Sequence, residues 1–162
     1  GGDLRASERT FQVLNQVAGR AGRASKPGRV IVQTYEPEHP VMLAMASGDR
    51  EAFMNLEEKN RKIGEWPPYG RLAAIIVSSK DSLAADKTAH QIGRTAPSGP
   101  GIRILGPAPA PLSILRGQHR RRLLIKTSRE ESLQSLIKVW LSKIVIPSRV
   151  KVRIDVDPYN FL

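Results

Sequence analysis

The sequence contains no cysteine, which excludes a disulfide framework, a cysteine-ligated zinc site and a cysteine nucleophile from this chain. Its three histidines, His39, His90 and His119, follow no metal-ligand spacing such as HExxH. We therefore expect no metal site among these residues.

Long apolar runs are also lacking, and none approaches the roughly 20 residues needed to cross a bilayer. We expect a soluble, cytoplasmic protein.

Acidic residues are outnumbered by basic ones. The sequence has 15 Asp and Glu against 26 Lys and Arg, for a formal net charge of +11. Such a balance favours a partner that carries phosphates, which means nucleic acid. General solubility or nonspecific adhesion is the alternative that charge alone leaves open.

At 162 residues the chain is long enough for one domain, or for a small domain with an attached fragment. It opens with Gly1 and enters a helical pattern directly, so we expect a piece of a longer protein. Prolines and glycines divide the sequence into segments 1–35, 36–68 and 69–162.

The first segment predicts a helix from Ser7 to Ala24 and a strand from Arg29 to Tyr35. The apolar run of this strand suits a parallel sheet, so the segment is interpreted as the last unit of an α/β domain. The second segment predicts a helical connector, with helices Val41–Ala46 and Arg50–Ile63, that ends at consecutive prolines after Trp66.

The third segment predicts elements in the order strand, helix, strand, strand, helix, strand. This order specifies an α+β, ferredoxin-like or small-ribosomal-protein-like domain: a mostly antiparallel sheet with two helices on one face. A proline-rich stretch, 106–111, is interpreted as a stiff extended loop. The predicted strands are Leu72–Ser78, Ile102–Leu105, His119–Thr127 and Val150–Asp157, and the helices are Ser82–Thr95 and Arg129–Ile144.

The segment QVAGRAGR carries the most chemical information. Gln16, Arg20 and Arg23 share one helix face, because they are separated by four and three residues. The opposite face, with Leu14, Val17, Ala18 and Ala21, should anchor the helix.

Gly19 and Gly22 each cost about 1 kcal/mol in a helix, so close approach of another surface is expected there. Arginine suits phosphate oxygens because its guanidinium is planar and always charged. An ordinary arginine-bearing helix end is the alternative.

A second cluster of positive charge lies near the third predicted strand. In that strand Arg120, Arg122 and Lys126 point to one face, while Leu123 and Ile125 point to the other. We predict contact with DNA phosphates, and a solvated edge strand that uses charge to avoid aggregation is the alternative. The candidate DNA-binding residues are Arg116, His119, Arg120, Arg121, Arg122 and Lys126.

Several other features have simpler interpretations. Trp66 and Tyr69 are able to stack a base, but such aromatics more often pin a linker to a domain. Asp155 and Asp157 share a face like catalytic carboxylates, yet Lys151 and Arg153 share it too, which favours a strand with salt bridges.

QVAGRAGR resembles motif VI of superfamily 2 helicases, QRxGRxGR, with Val17 in place of the first arginine. Longer strings, GGDLRASERTFQVLNQVAGRAGR, PGRVIVQTYEPEHPV, WPPYGRLA, ILGPAPAPL and VRIDVDP, resemble the PriA family of replication-restart DNA helicases, also called primosomal protein N′. The resemblance covers essentially the whole chain. It identifies segment 1–35 as the end of the second helicase lobe, with motif VI, and segment 69–162 as the family's C-terminal domain.

The resemblance implies that Arg20 and Arg23 act as catalytic arginines on ATP, with Gln16 and Gly19 also at the nucleotide. It implies ATP and Mg²⁺ as cofactors of the full-length enzyme, with the P-loop and the zinc-binding cysteines upstream of these residues. The expected partners are forked or single-stranded DNA, single-stranded DNA-binding protein and primosome proteins, at the nucleoid. This chain alone should neither hydrolyse ATP nor unwind DNA. A freestanding basic nucleic-acid-binding module with no motor role is the rival function.

Overall fold

The computed structural model describes residues 5–21 and 29–158, and the chain divides into two compact units, 1–63 and 64–162. In the described residues, no helix combines the length and apolar character that a membrane span requires. Each unit has its own hydrophobic core.

In its described residues the first unit contains three helices, α1 (Ala6–Ala21), α2 (Pro40–Ser47) and α3 (Arg50–Ile63). Its small core centres on the stacked rings of Phe11 and Phe53, whose centroids are 4.3 Å apart, with Val41 beside them. Arg61 Nη2 in α3 lies 2.6 Å from Glu8 Oε1 in α1, which adds a partly buried ion pair between these helices. The predicted helices 41–46 and 50–63 are therefore present.

Two expectations for the first unit are wrong. Residues 29–35 form no strand, and Ile31 is 83% exposed. The reason is that a strand needs a hydrogen-bonded neighbour, and none of the described residues pairs with this stretch. The second expectation was that the apolar face of α1 anchors the helix. On that face Leu14 is half-buried, but Val17, Ala18 and Ala21 are exposed. The core contact of α1 comes from Phe11 instead.

The second unit follows the predicted element order. It contains β1 (Gly70–Ser79), α4 (Ser82–Arg94), β2 (Arg103–Leu115), β3 (Gln118–Ser128), α5 (Leu133–Leu141) and β4 (Lys151–Val156). The strands form a four-stranded sheet in the order β2-β3-β1-β4, with every neighbouring pair antiparallel. The α+β class and the antiparallel sheet of the C-terminal segment are confirmed.

Both helices of this unit pack on the same side of the sheet. Residues that alternate along β1 and β3 face the helices, and Trp140 of α5 donates its Nε1 hydrogen to the carbonyl oxygen of Ile92, 3.1 Å away. This bond ties α5 to the end of α4. The core combines Ala73, Ile75, Val77, Leu123 and Ile125 of the sheet with Ala84, Ala89, Ile92, Leu133, Ile137 and Trp140 of the helices.

The proline-rich stretch differs from its prediction, because residues 106–111 belong to strand β2 rather than to a loop. β2 is an edge strand, and an edge strand tolerates prolines because the missing N–H groups have no second neighbour to bind.

Helix α5 is shorter than predicted. The apolar spacing continues to Ile144, but the backbone tightens after Leu141 into hydrogen bonds between residues three apart.

The boundary between the two units falls after Ile63, whereas the sequence suggested a linker that ends at Pro68. The reason lies in the sheet, since Lys126 Nζ of β3 donates to the carbonyl oxygen of Gly64 at 2.6 Å. The segment 64–69 is thereby held by the second unit.

Candidate nucleic-acid interface

The sheet face turned away from the helices carries an ordered set of cations. Strand register places Ile76 between Arg122 of β3 and Arg153 of β4, and Ser78 between Arg120 and Lys151. We call these four cations the basic face. Neighbouring strands lie about 4.8 Å apart, so the two cations of each row stand about 10 Å apart at their Cα atoms. The arrangement is a two-by-two grid of positive charge.

The four cations differ in their surroundings. Arg120 is half-buried and its Nη1 donates to the carbonyl oxygen of Leu112 at 3.2 Å. Partial burial lowers the pKa of Arg122 from its ordinary value, but a guanidinium stays charged at any physiological pH. Arg153 is 77% exposed and reaches Asp155 Oδ2 only at 3.9 Å, so this ion pair neutralises little of its charge.

Arg121, a predicted DNA-binding residue, lies on the opposite side of the sheet. It is paired with Val77 of β1, whose side chain faces the helices. Its guanidinium binds both carboxylate oxygens of Asp86 in α4, with Nη2 2.9 Å from Oδ2. This hydrogen bond, with the positive charge of Arg121, holds the pKa of Asp86 below its usual value. The structure thus gives Arg121 a role in fastening α4 to the sheet.

Lys126, another predicted DNA-binding residue, is only 7% exposed. Besides its bond to Gly64, its Nζ lies 3.8 Å from Glu65 Oε2 and 5.0 Å from the centroid of the Trp66 ring. Alternation does place it on the same sheet face as Arg122, but residues 64–66 cover it. The aromatic ring of Trp66 is engaged here, as the linker-pinning interpretation predicted.

The remaining DNA-binding candidates lie at the end of the β2–β3 hairpin. Arg116 is exposed and forms the connecting turn with Gly117, at positive φ angles of 50° and 73°. His119 is half-buried and pairs with Ser79, on the helix side of the sheet. Of the six candidates, the structure brings Arg120 and Arg122 together on one open surface.

Sequence reasoning did not select Lys151 and Arg153 for DNA binding, although it placed both on the polar face of β4. The missing information was the strand order, because β1 brings β3 and β4 to the same surface from either side. Asp157 has a structural role, since its Oδ1 accepts a hydrogen bond from the Leu72 amide at 3.2 Å.

The motif VI candidates lie on α1 and in the residues after it. Gln16 and Arg20 are exposed and one helical turn apart, whereas Gly22 and Arg23 lie outside the described residues. A Cβ atom at Gly19 would meet nothing within 4 Å. The close approach expected at this glycine is therefore not made by any described residue.

The structure thus defines a small α+β domain with a basic sheet face, preceded by a helical unit that exposes an amide and an arginine. A family described as the Primosomal protein N C-terminal domain matches residues 62–159, and the chain belongs to this family.

Curated relatives extend the similarity to both units. Replication restart protein PriA of Rickettsia conorii is 41% identical over 159 residues, which cover 98% of this chain and 24% of that protein. The protein of the same name from Bacillus subtilis is 37% identical over 99% of this chain and 20% of its own length. The Haemophilus influenzae protein is 35% identical over 98% of this chain and 22% of its own length. The chain therefore spans about a quarter, or less, of the length of these relatives.

Proposed function

We propose that this chain is the C-terminal part of an ATP-dependent DNA helicase that recognises stalled or branched replication forks and restarts replication by primosome assembly. The observation that carries the proposal is the similarity to replication restart proteins across 98% of the chain, in both units. A freestanding basic module has no need for the exposed Gln16 and Arg20 that precede its binding domain. The replication-restart assignment therefore accounts for both parts.

In this proposal the first unit completes an ATP site in the full-length protein. Arg20 and Arg23 stabilise the charge that develops on the γ-phosphate, while Gln16 and Gly19 lie against the nucleotide. No described residue would contact a Cβ atom at Gly19, which supports this role because approach of a phosphate-bearing ligand meets none of them there. Mg²⁺ would be held by residues outside this chain, and the zinc-binding cysteines of the family also belong elsewhere.

The second unit grips DNA through its basic face. Its element order and its strand order support a ferredoxin-like assignment, in which one sheet face packs on helices and the other is left for a ligand. Four cations on that open face suit the backbone of a nucleic acid, whose phosphates need no sequence-specific partner. Single-stranded DNA-binding protein and primosome proteins are further proposed partners, at the nucleoid.

DNA binding by the second unit is tested by the dependence of affinity on salt. In a chain carrying Arg120→Gln and Arg122→Gln we expect weaker binding, with a slope of log affinity against log salt reduced by about 0.9 for each phosphate that is no longer neutralised. Lys87→Gln and Lys138→Gln form the matched control, because these exposed cations lie on the helices behind the sheet. An unchanged slope in the Arg120 and Arg122 variant would contradict the proposed interface.

A further inference from the structure

The four cations of the basic face form two columns that run along the strands. We call Arg120 and Arg122 the β3 column, and Lys151 and Arg153 the β4 column. Within a column the two Cα atoms are about 6.8 Å apart, because residues on one face of a strand are two positions apart. The columns are about 10 Å apart, since β1 lies between them. The side chain of Ile76 on β1 therefore stands between one cation of each column.

One end of the open sheet face is closed to a ligand. Residues 64–66 cover Lys126, and Leu72, its partner on β1, is fully buried. Asp155 follows Arg153 on the same face of β4, and its carboxylate would repel a phosphate placed there. A ligand that carries phosphates is therefore directed across the two columns rather than further along β4.

The open face offers no platform on which an unpaired base would stack. None of the four described strands contains Phe, Tyr or Trp, and the nearby Trp66 ring is engaged with Lys126. Proteins that hold single-stranded DNA commonly stack its bases on aromatic side chains. The basic face therefore suits the backbone of DNA whose bases are already paired.

The spacing of the columns matches the two strands of a duplex. The minor groove of B-DNA is about 6 Å wide and the major groove about 12 Å wide, and the phosphate groups that border a groove add their own thickness. Columns about 10 Å apart match the two borders of the minor groove more closely than those of the major groove. Phosphates of one strand follow each other every 3.4 Å or so along the helix axis, so each column spans a short run of phosphates on a single strand.

We infer that the basic face takes double-stranded rather than single-stranded DNA and lies astride its minor groove, with the β3 column on one strand and the β4 column on the other. Ile76, between the columns, faces the groove, where aliphatic side chains are common in proteins that bind there. The inference rests on the proposed DNA contact and names the form of DNA that the contact takes. A single strand would engage one column at a time.

The test compares a duplex and a single strand that contain the same number of phosphates, each titrated with the 162-residue chain in fluorescence anisotropy. We expect the duplex to be bound about tenfold more tightly, because it engages both columns and so releases more counterions. The duplex should also show the steeper dependence of log affinity on log salt.

A variant with Lys151→Gln and Arg153→Gln removes the β4 column. We expect its salt slope on the duplex to fall by about 1.8, the sum for two lost phosphate contacts, and its preference for the duplex to disappear. Affinity for the single strand should stay within about twofold, because the β3 column is intact. Should this variant melt early, Arg153→Gln alone should lower the duplex slope by about 0.9.

The matched control is Lys87→Gln with Lys138→Gln, which removes the same charge from the helix side of the sheet. We expect this control to keep the preference for the duplex. A preference that came from net charge alone would fall equally in both variants, and that result would overturn the inference.

The choice of groove is tested by competition on an A·T-rich duplex. Netropsin, which fills the minor groove, should displace the chain, whereas methyl green, which occupies the major groove, should not. Displacement by methyl green alone would overturn the minor-groove assignment.

The outcomes separate the inference from the proposed function. If the unsubstituted chain binds neither probe, the proposed DNA contact itself fails. If it binds both probes equally, or if the variant without the β4 column keeps its preference for the duplex, the inference is overturned while the DNA contact stands.

Discussion

The pair formed by Asp86 and Arg121 shows how one residue position divides a run of arginines between two roles. Arg120 and Arg122 face the open side of the sheet, but Arg121 is turned toward α4 and binds the carboxylate there. Its side chain is 18% exposed and that of Asp86 is 37% exposed, so solvent screens part of the attraction. The ion pair therefore makes only a modest contribution to the stability of the second unit.

We expect Asp86→Asn to lower the free energy of unfolding at neutral pH by about 1 kcal/mol or less. The pKa of Asp86 is lower in the folded than in the unfolded chain. Its stabilisation is therefore fully present above the unfolded pKa of about 3.9 and is lost as the pH falls through the folded pKa. Denaturant melts at pH 7 and at successively more acidic pH values should show the difference shrinking.

The matched control for this prediction is Asp155→Asn, because Asp155 faces an arginine that is 77% exposed. We expect a smaller change in stability, because solvent screens this exposed ion pair. Equal effects of the two substitutions, or a deficit of Asp86→Asn that persists once the carboxylate is protonated, would contradict the structural role of the pair.

At the scale of elements, Lys126 fastens the segment that precedes β1. Nearly buried, it donates to the Gly64 carbonyl oxygen and lies over Trp66, while the backbone of this segment approaches so closely that a Cβ at Gly70 would overlap the Glu65 carbonyl oxygen. A glycine is required at that position. The segment and the start of β1 thus form one packed structure.

We expect Lys126→Met to destabilise the second unit by about 2 kcal/mol, because the substitution removes a charged hydrogen bond from a partly buried carbonyl group. Amide hydrogen exchange should accelerate at Tyr69, whose N–H donates to the Trp66 oxygen. DNA affinity at a temperature where both proteins are folded should change little. Lys151→Met, an exposed cation on β4, should show the reverse: unchanged stability and weaker DNA binding.

Alternation along the chain was enough to assign the faces of β3 and β4 and to separate Leu123 and Ile125 from Arg120 and Arg122. Strand order was beyond local pattern, so the sequence did not reveal that Arg153 and Lys151 complete the same surface. Burial of Lys126 depends on a segment about sixty residues earlier in the chain, which no local periodicity records. Residues 29–35 show a prediction that local pattern made wrongly. Their sequence has a strong strand pattern, but they form no strand because no described residue pairs with them.

At the scale of the whole molecule, the two units carry separable parts of the proposed function. The first unit presents Gln16 and Arg20 from α1, and the second presents the basic face from β3 and β4. No described residue belongs to both surfaces. Substitutions in one unit should therefore leave the activity of the other intact, which a single nucleic-acid-binding surface would not allow.

We expect Arg20→Ala in the full-length protein to reduce DNA-stimulated ATP hydrolysis by about 10³-fold or more, because an arginine at the transferring phosphate contributes an effect of that size. DNA affinity should remain within about twofold, since the basic face is untouched. Lys59→Ala is the matched control, as this exposed cation of α3 lies outside the motif VI face. ATPase rates and DNA titrations of both variants provide the measurement.

The complementary variant, Arg120→Gln with Arg122→Gln, should require more DNA for half-maximal stimulation but should reach a normal ATPase rate at saturating DNA. That opposite pattern separates a nucleotide-site arginine from one that only attracts DNA, because weaker attraction for the DNA backbone changes affinity and not the chemical step. Normal hydrolysis by the Arg20 variant would remove the motor role from the first unit. The basic face would then support a DNA-binding function without ATP.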